Sequence, residues 1–113
     1  MDGIFEIERI DDTRCARLVL RGELDLYAAP ALDDAVVTLE GEKWPVLFLD
    51  LRELEFIDSA GLRLVMRTHA RAKQDGRRLI LIRGGENVER VLELTGLTGE
   101  LEVVDEPFVP DDV

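Results

Sequence analysis

Asp58 and Ser59 stand side by side in the stretch EFIDSAGLRL, residues 55–64, where an apolar run stops and a helical pattern begins. A carboxylate and a hydroxyl at such a junction allow three kinds of chemistry. The serine could be a nucleophile, either residue could cap the helix, or the serine could accept a phosphoryl group inside another protein's active site.

A nucleophilic serine at a strand-to-helix elbow needs a glycine two residues earlier, where this chain has Ile57. It also needs a base. The sole histidine, His69, lies ten residues on along the same predicted helix, roughly 15 Å away at about 1.5 Å per residue. Its spacing puts it on the helix's apolar side, near Val65 and Met66, which suits a packed histidine. Hydrolysis therefore lacks its parts. Capping, worth about 1 kcal/mol, accounts for Asp58 or Ser59 but does not require both. A phosphate at Ser59 would gain about 0.3–1 kcal/mol from the helix dipole and could pair with Arg63 one turn ahead. Asp58 would oppose it by a similar or larger amount. The domain should stay folded, and the effect should fall on whatever docks over the site.

Other candidates are weaker. Asp25, Asp50 and Asp58 could meet near strand ends, yet no spacing among them makes a metal cage. RGGEN, residues 83–87, lacks both the G-x-G-x-x-G spacing and a following Gly-Lys-Ser/Thr, so it reads as a turn into a helix. A receiver-type phospho-aspartate domain would use Asp11-Asp12 as its acid pair and Asp50 as acceptor. Here the acid pair joins two strands of a hairpin, and no lysine follows Lys73. Arg63, Arg67 and Arg71 form an i, i+4, i+8 stripe, with Leu64 expected to project between them, away from Leu62, Val65 and Met66. That stripe is either a solvated face or a docking surface in which arginines meet an acidic partner.

The elements that must position these residues are legible from periodicity. IFEIERI (4–10) alternates as a half-buried strand does, DDT turns, and RCARLVLRG (14–22) returns as a second strand, with ELDL extended beyond it. Ala28, Leu32, Ala35, Val36 and Leu39 fall at helical spacing, with Pro30 in the first turn. PVLFLDL (45–51) reads as a strand buried on both faces. A helix should run from Ser59 to about Asp75 and stop at Gly76. RRLILIRGG (77–85) is a further strand, ENVERVLELTGL (86–97) a short helix, and LEVVD a last strand. Trp44-Pro45 leads into a strand under an aromatic lid. The acidic tail, residues 106–113, should be loose. Helices alternating with strands imply parallel pairing after an antiparallel opening hairpin. The expected fold is one α/β domain over residues 1–113, a mixed β-sheet of about four to six strands with helices packed on it and a core spanning residues 4–105.

With 113 residues and 46% hydrophobic content, the chain can bury a core without metal or disulfide. Cys15 is the single cysteine, which excludes an internal disulfide and fits a reducing compartment. A net charge of −11 repels phosphate backbones and anionic lipid, so neither nucleic acid nor a membrane is an expected partner. The N-terminus lacks a signal-peptide pattern, and no apolar stretch approaches the roughly 20 residues that cross a bilayer. These features point to a cytoplasmic protein.

GELDLYAAPAL (22–32), LFLDLRELEFIDSAGLRLV (47–65) and RVLELTGL (90–97) resemble, in that order, the STAS domain of anti-sigma factor antagonists. The likeness covers roughly residues 4–105, and its most specific part is D-S-A-G-L. Such a resemblance implies a STAS-like fold and a protein that is not an enzyme and needs no cofactor. It implies binding to an anti-sigma factor with serine kinase activity, release of a sigma factor, phosphorylation at Ser59 that breaks the partnership, and a serine phosphatase that resets it. On this resemblance Asp25 and Asp58 lie close to the phosphosite. The partner surface would comprise Asp25, Asp58, Ser59, Ala60, Gly61, Leu62, Arg63, Leu64 and Arg67, on a monomer or weak dimer. Some STAS domains serve instead in transporters, stress-signalling or lipid-trafficking complexes. Ala60 replaces the serine or threonine often found after the phosphosite.

Overall fold

The computed structural model describes residues 4–96 and 99–110. Strand β1 (Phe5–Asp11) pairs antiparallel with β2 (Cys15–Leu24). Helix α1 (Ala29–Gly41), β3 (Val46–Asp50), β4 (Leu54–Ile57), α2 (Ser59–Gln74), β5 (Arg78–Ile82), α3 (Glu86–Leu94) and β6 (Glu102–Val104) follow. The six-stranded sheet runs β1-β2-β3-β5-β6, with β4 paired to β2 off that path. Every pairing after the hairpin is parallel. The mixed sheet, its opening hairpin and the helices packed on it agree with the sequence reading.

Alternation decides which residues meet. Along β2, β3 and β5, the residues Ala16, Leu18, Leu20, Leu47, Leu49, Leu79 and Leu81 share one core with Leu32, Val36 and Leu39 of α1, Leu64, Val65 and Ala72 of α2, and Val88 and Leu92 of α3. The helices therefore all cover one face of the sheet. Fully burying each of these leucines and valines contributes roughly 1.5–3 kcal/mol. The out-of-phase residues Cys15, Val46, Phe48, Ile80 and Ile82 make a second cluster on the opposite face.

Two features depart from the sequence reading. ELDL does not run on extended: Glu23 and Leu24 end β2 while Asp25 and Leu26 turn toward α1, and the short strand β4, LEFI, was hidden in the apolar run before α2. Its partner residues are Gly22 to Leu24, where β2 has left β3 and the register shifts. Gly22 permits that bend: its φ is +92°, and a Cβ there would lie 1.8 Å from the Ile4 carbonyl oxygen.

The described part of the tail, residues 106–110, reaches back to the sheet. Phe108 stands edge-on to Phe48 with ring centroids 5.4 Å apart and an 89° interplanar angle. The Arg78 guanidinium lies 5.5 Å from the centre of the same ring, and Pro110 is buried. On the sheet face that carries no helix, this strap covers the Phe48 end of the second cluster. Helix α3 ends at Leu94, short of the expected Leu97, which lies outside the described residues, as do residues 1–3 and 111–113.

Candidate docking site at the start of helix α2

Asp58 is the N-cap of α2. It is extended (φ −104°, ψ −174°), and its Oδ1 accepts hydrogen bonds from the amides of Ala60 at 2.9 Å and Gly61 at 3.0 Å. Its Oδ2 faces the other way and accepts the Leu26 amide at 3.1 Å. One carboxylate thus satisfies two orphan amides of the helix and pins the loop between β2 and α1. Asp25 shapes that loop from within, its Oδ1 accepting the amides of Tyr27 at 3.0 Å and Ala28 at 2.9 Å. Both acids are engaged by backbone amides and act as positioning residues for the surface around them.

Because Asp58 alone caps the helix, Ser59 is left over. It is the first residue of α2 and exposed, and its hydroxyl makes no hydrogen bond within the described residues. Ala60 is half-buried beside it. Gly61 is buried, and a Cβ there would lie 2.6 Å from the Leu24 carbonyl oxygen and 2.7 Å from Leu24 Cγ. Glycine is required so that α2 can rest directly on the end of β2, which fixes where Ser59 emerges. Gly61 therefore belongs to the support of the site rather than to its contact surface.

Leu64 is a correction to the sequence reading. It is fully buried in the core beside Val65 rather than projecting among the arginines. A 3.6-residue period places residues 61, 64, 65, 68 and 72 together on the sheet-facing side, with Leu62 and Met66 flanking them. The arginine stripe also shortens. Arg71 is committed to Glu40 at 3.1 Å and faces Asp33 at 3.6 Å, joining α2 to α1. Arg63 and Arg67 remain exposed, with no hydrogen bond or ion pair among the described residues. Between α1 and α2 they line a groove of about 310 Å³ together with Leu26, Ala29, Pro30 and Ala60. Leu26 is 61% and Tyr27 76% exposed. The sequence reading missed these two, although an apolar pair directly after GELD was visible.

The structure separates Asp50 from this site. Two residues on from Phe48 along β3, it shares that residue's side of the strand, the face without helices, and is only 2% exposed. Its oxygens accept Arg52 Nε at 3.0 Å and Nη2 at 2.7 Å, and Arg17 Nη1 at 2.9 Å. Burial pushes its pKa up, but the two guanidiniums outweigh that and hold the carboxyl below the usual aspartate range. A carboxylate so filled is a poor phosphoryl acceptor and a poor metal ligand. His69 is half-buried further along α2, and Gly85 caps α3 at the end of the RGG turn. Trp44 donates its indole N–H to Glu42 at 2.9 Å while its ring packs on the core.

Comparison with known proteins agrees with this fold. The family model described as "Mlab, STAS domain" matches residues 9–105. The anti-sigma-B factor antagonist of Listeria monocytogenes is 29% identical over 92 residues, 81% of each chain. That of Staphylococcus epidermidis is 28% identical over 99 residues, covering 88% of this chain and 92% of the relative. The crystal structure of an anti-sigma factor antagonist from Mycobacterium paratuberculosis superposes with a TM-score of 0.79 at 26% identity, covering 91% of this chain and 87% of that one.

Proposed function

Since the chain belongs to the STAS domain family, we propose that it is an anti-sigma factor antagonist switched at Ser59. The observation that carries this reading is the division of labour at the helix start. Asp58 performs the capping, and Ser59 presents a hydroxyl that the fold does not use. The relatives named as anti-sigma-B factor antagonists support the partner class.

Unmodified, the surface formed by Asp25, Asp58, Ser59, Ala60, Leu62, Arg63 and Arg67 meets an anti-sigma factor that is also a serine kinase, and a sigma factor is set free. The kinase transfers the γ-phosphoryl group of ATP to Ser59 Oγ. A new O–P bond forms as the β–γ bridging bond breaks, ADP leaves, and the hydroxyl proton passes to a base on the kinase. The product adds nearly two negative charges beside Asp58. Helix dipole and Arg63 offset part of that charge within the domain, so the fold persists. The partner, however, must desolvate a dianion, and about 3 kcal/mol there weakens binding roughly a hundredfold. A serine phosphatase restores the hydroxyl. No helix of the described residues is long and apolar enough to cross a membrane, and no step here needs one.

The test is a pull-down from native cells with Ser59→Ala and Ser59→Glu baits, followed by phosphorylation of the wild-type protein with ATP and the captured kinase. Retention of an ATP-binding anti-sigma factor by the alanine bait alone, with mass spectrometry placing the phosphate on Ser59, is the expected result. Equal retention by both baits removes the switch. Capture of transport or lipid-trafficking components instead replaces it with an accessory-subunit role.

A further inference from the structure

We propose that the groove between the starts of α1 and α2 seats an acidic, amphipathic segment of the partner protein, whose carboxylates are read by Arg63 and Arg67. This names the chemistry of the partner's contact and rests on the reading of the α2 start as a docking site.

The argument begins with charge. The chain carries 25 acidic residues against 14 basic ones, so arginine is scarce and its own acids compete for it. Every other arginine in the described residues is bonded to a carboxylate or a carbonyl of the chain itself. Arg63 and Arg67 stand apart, one helical turn from each other and exposed. The acid that lines the groove with them, Asp33, faces Arg71 at 3.6 Å instead. Two unmatched guanidiniums in an acidic protein find their counter-charge on another molecule.

The rest of the groove says what else that molecule brings. Ala29, Pro30 and Ala60 give it an apolar lining of small side chains, and its volume is about 310 Å³. Leu26 is 61% exposed at its rim, held there by the bond from its amide to Asp58. A segment with two carboxylates one turn apart and an apolar side chain between them matches both features. Ser59 lies one turn before Arg63, so a phosphate there would claim Arg63 from inside the molecule. The modification then competes with the partner's carboxylate as well as repelling it.

Two measurements test this. The first titrates the purified anti-sigma factor kinase of the chain's own source against wild-type protein, Ser59→Glu and the double variant Arg63→Glu/Arg67→Glu. Wild-type association should fall steeply with salt. The double variant should associate at least about tenfold more slowly and lose most of that salt dependence. Equal binding by wild type and double variant overturns the groove while leaving the proposed function intact. The second needs no natural partner. A helical peptide carrying Glu at i and i+4 around a leucine is titrated into labelled protein while the arginine Nε–H resonances are followed. Arg63 and Arg67 should shift first, and a peptide with Lys at both positions should bind the double variant instead. Shifts centred on other residues overturn the inference. So does concentration-dependent self-association that Arg63→Glu/Arg67→Glu abolishes, because the occupant is then a second copy of this chain. Peptide binding at the groove without binding of the kinase keeps the groove and removes the anti-sigma assignment.

Discussion

The carboxylate of Asp58 joins two loops 32 residues apart in sequence, accepting the Leu26 amide at 3.1 Å through one oxygen while the other caps helix α2. That bond holds the exposed Leu26 against the start of α2. Asp58→Ala should cost about 1–2 kcal/mol in urea denaturation, through loss of the cap and of the loop bond. Asp58→Asn should fall between, since an amide can keep the cap but turns a donor toward the Leu26 N–H. Ser59→Ala should stay within about 0.5 kcal/mol of wild type, because the serine has no structural duty. A Ser59→Ala loss as large as that of Asp58→Ala would mean that the hydroxyl holds the helix start.

Gly61 is the point on which the site's placement turns. Gly61→Ala brings a methyl to 2.6 Å from the Leu24 carbonyl, and backbone cannot yield as a flexible side chain can. A loss of about 1–3 kcal/mol is expected, together with amide shifts at Leu24, Asp58 and Ser59. Wild-type stability with unshifted resonances would show that α2 does not rest on β2 as described.

The strap over the far face is a stability element. Phe108→Ala removes the edge-on contact to Phe48 and the ring beneath the Arg78 guanidinium. The expected cost is about 1–2 kcal/mol, with increased binding of a hydrophobic dye and no change in Ser59 accessibility to a kinase. An unchanged denaturation midpoint would return the tail to the loose state that its composition suggested.

Acid stability should report Asp50. Its folded pKa lies below the ordinary 3.8, so the unfolded chain binds the proton more readily. The stabilisation is complete above that ordinary value and disappears as pH falls through the lower folded one. Asp50→Asn should therefore flatten the stability profile below about pH 4. At neutral pH it should cost about 2 kcal/mol, since Arg17 and Arg52 lose a charged acceptor but keep partial contact with water. A profile below pH 4 identical to that of wild type would assign the acid lability to other carboxylates.

The sequence by itself determined the secondary elements with strong periodicity. PVLFLDL could only be a doubly buried strand, and the 3.6-residue repeat from Leu32 to Leu39 could only be a helix face. It also carried the family, because D-S-A-G-L with GELDLYAAPAL before it is a local pattern, readable without folding. Tertiary structure decided what those residues do. Which of two adjacent polar residues caps α2, and which is left free, depends on backbone direction at one junction. Whether an arginine is spent or available depends on acids distant in sequence, as Arg71 with Glu40 shows, and charge counting along a helix cannot find them. Leu64 changed sides because a one-residue error in helix phase turns a side chain by about 100°. The strap had no periodic signal at all: its position follows from an apolar sheet face that three helices, all packed on the other side, leave uncovered.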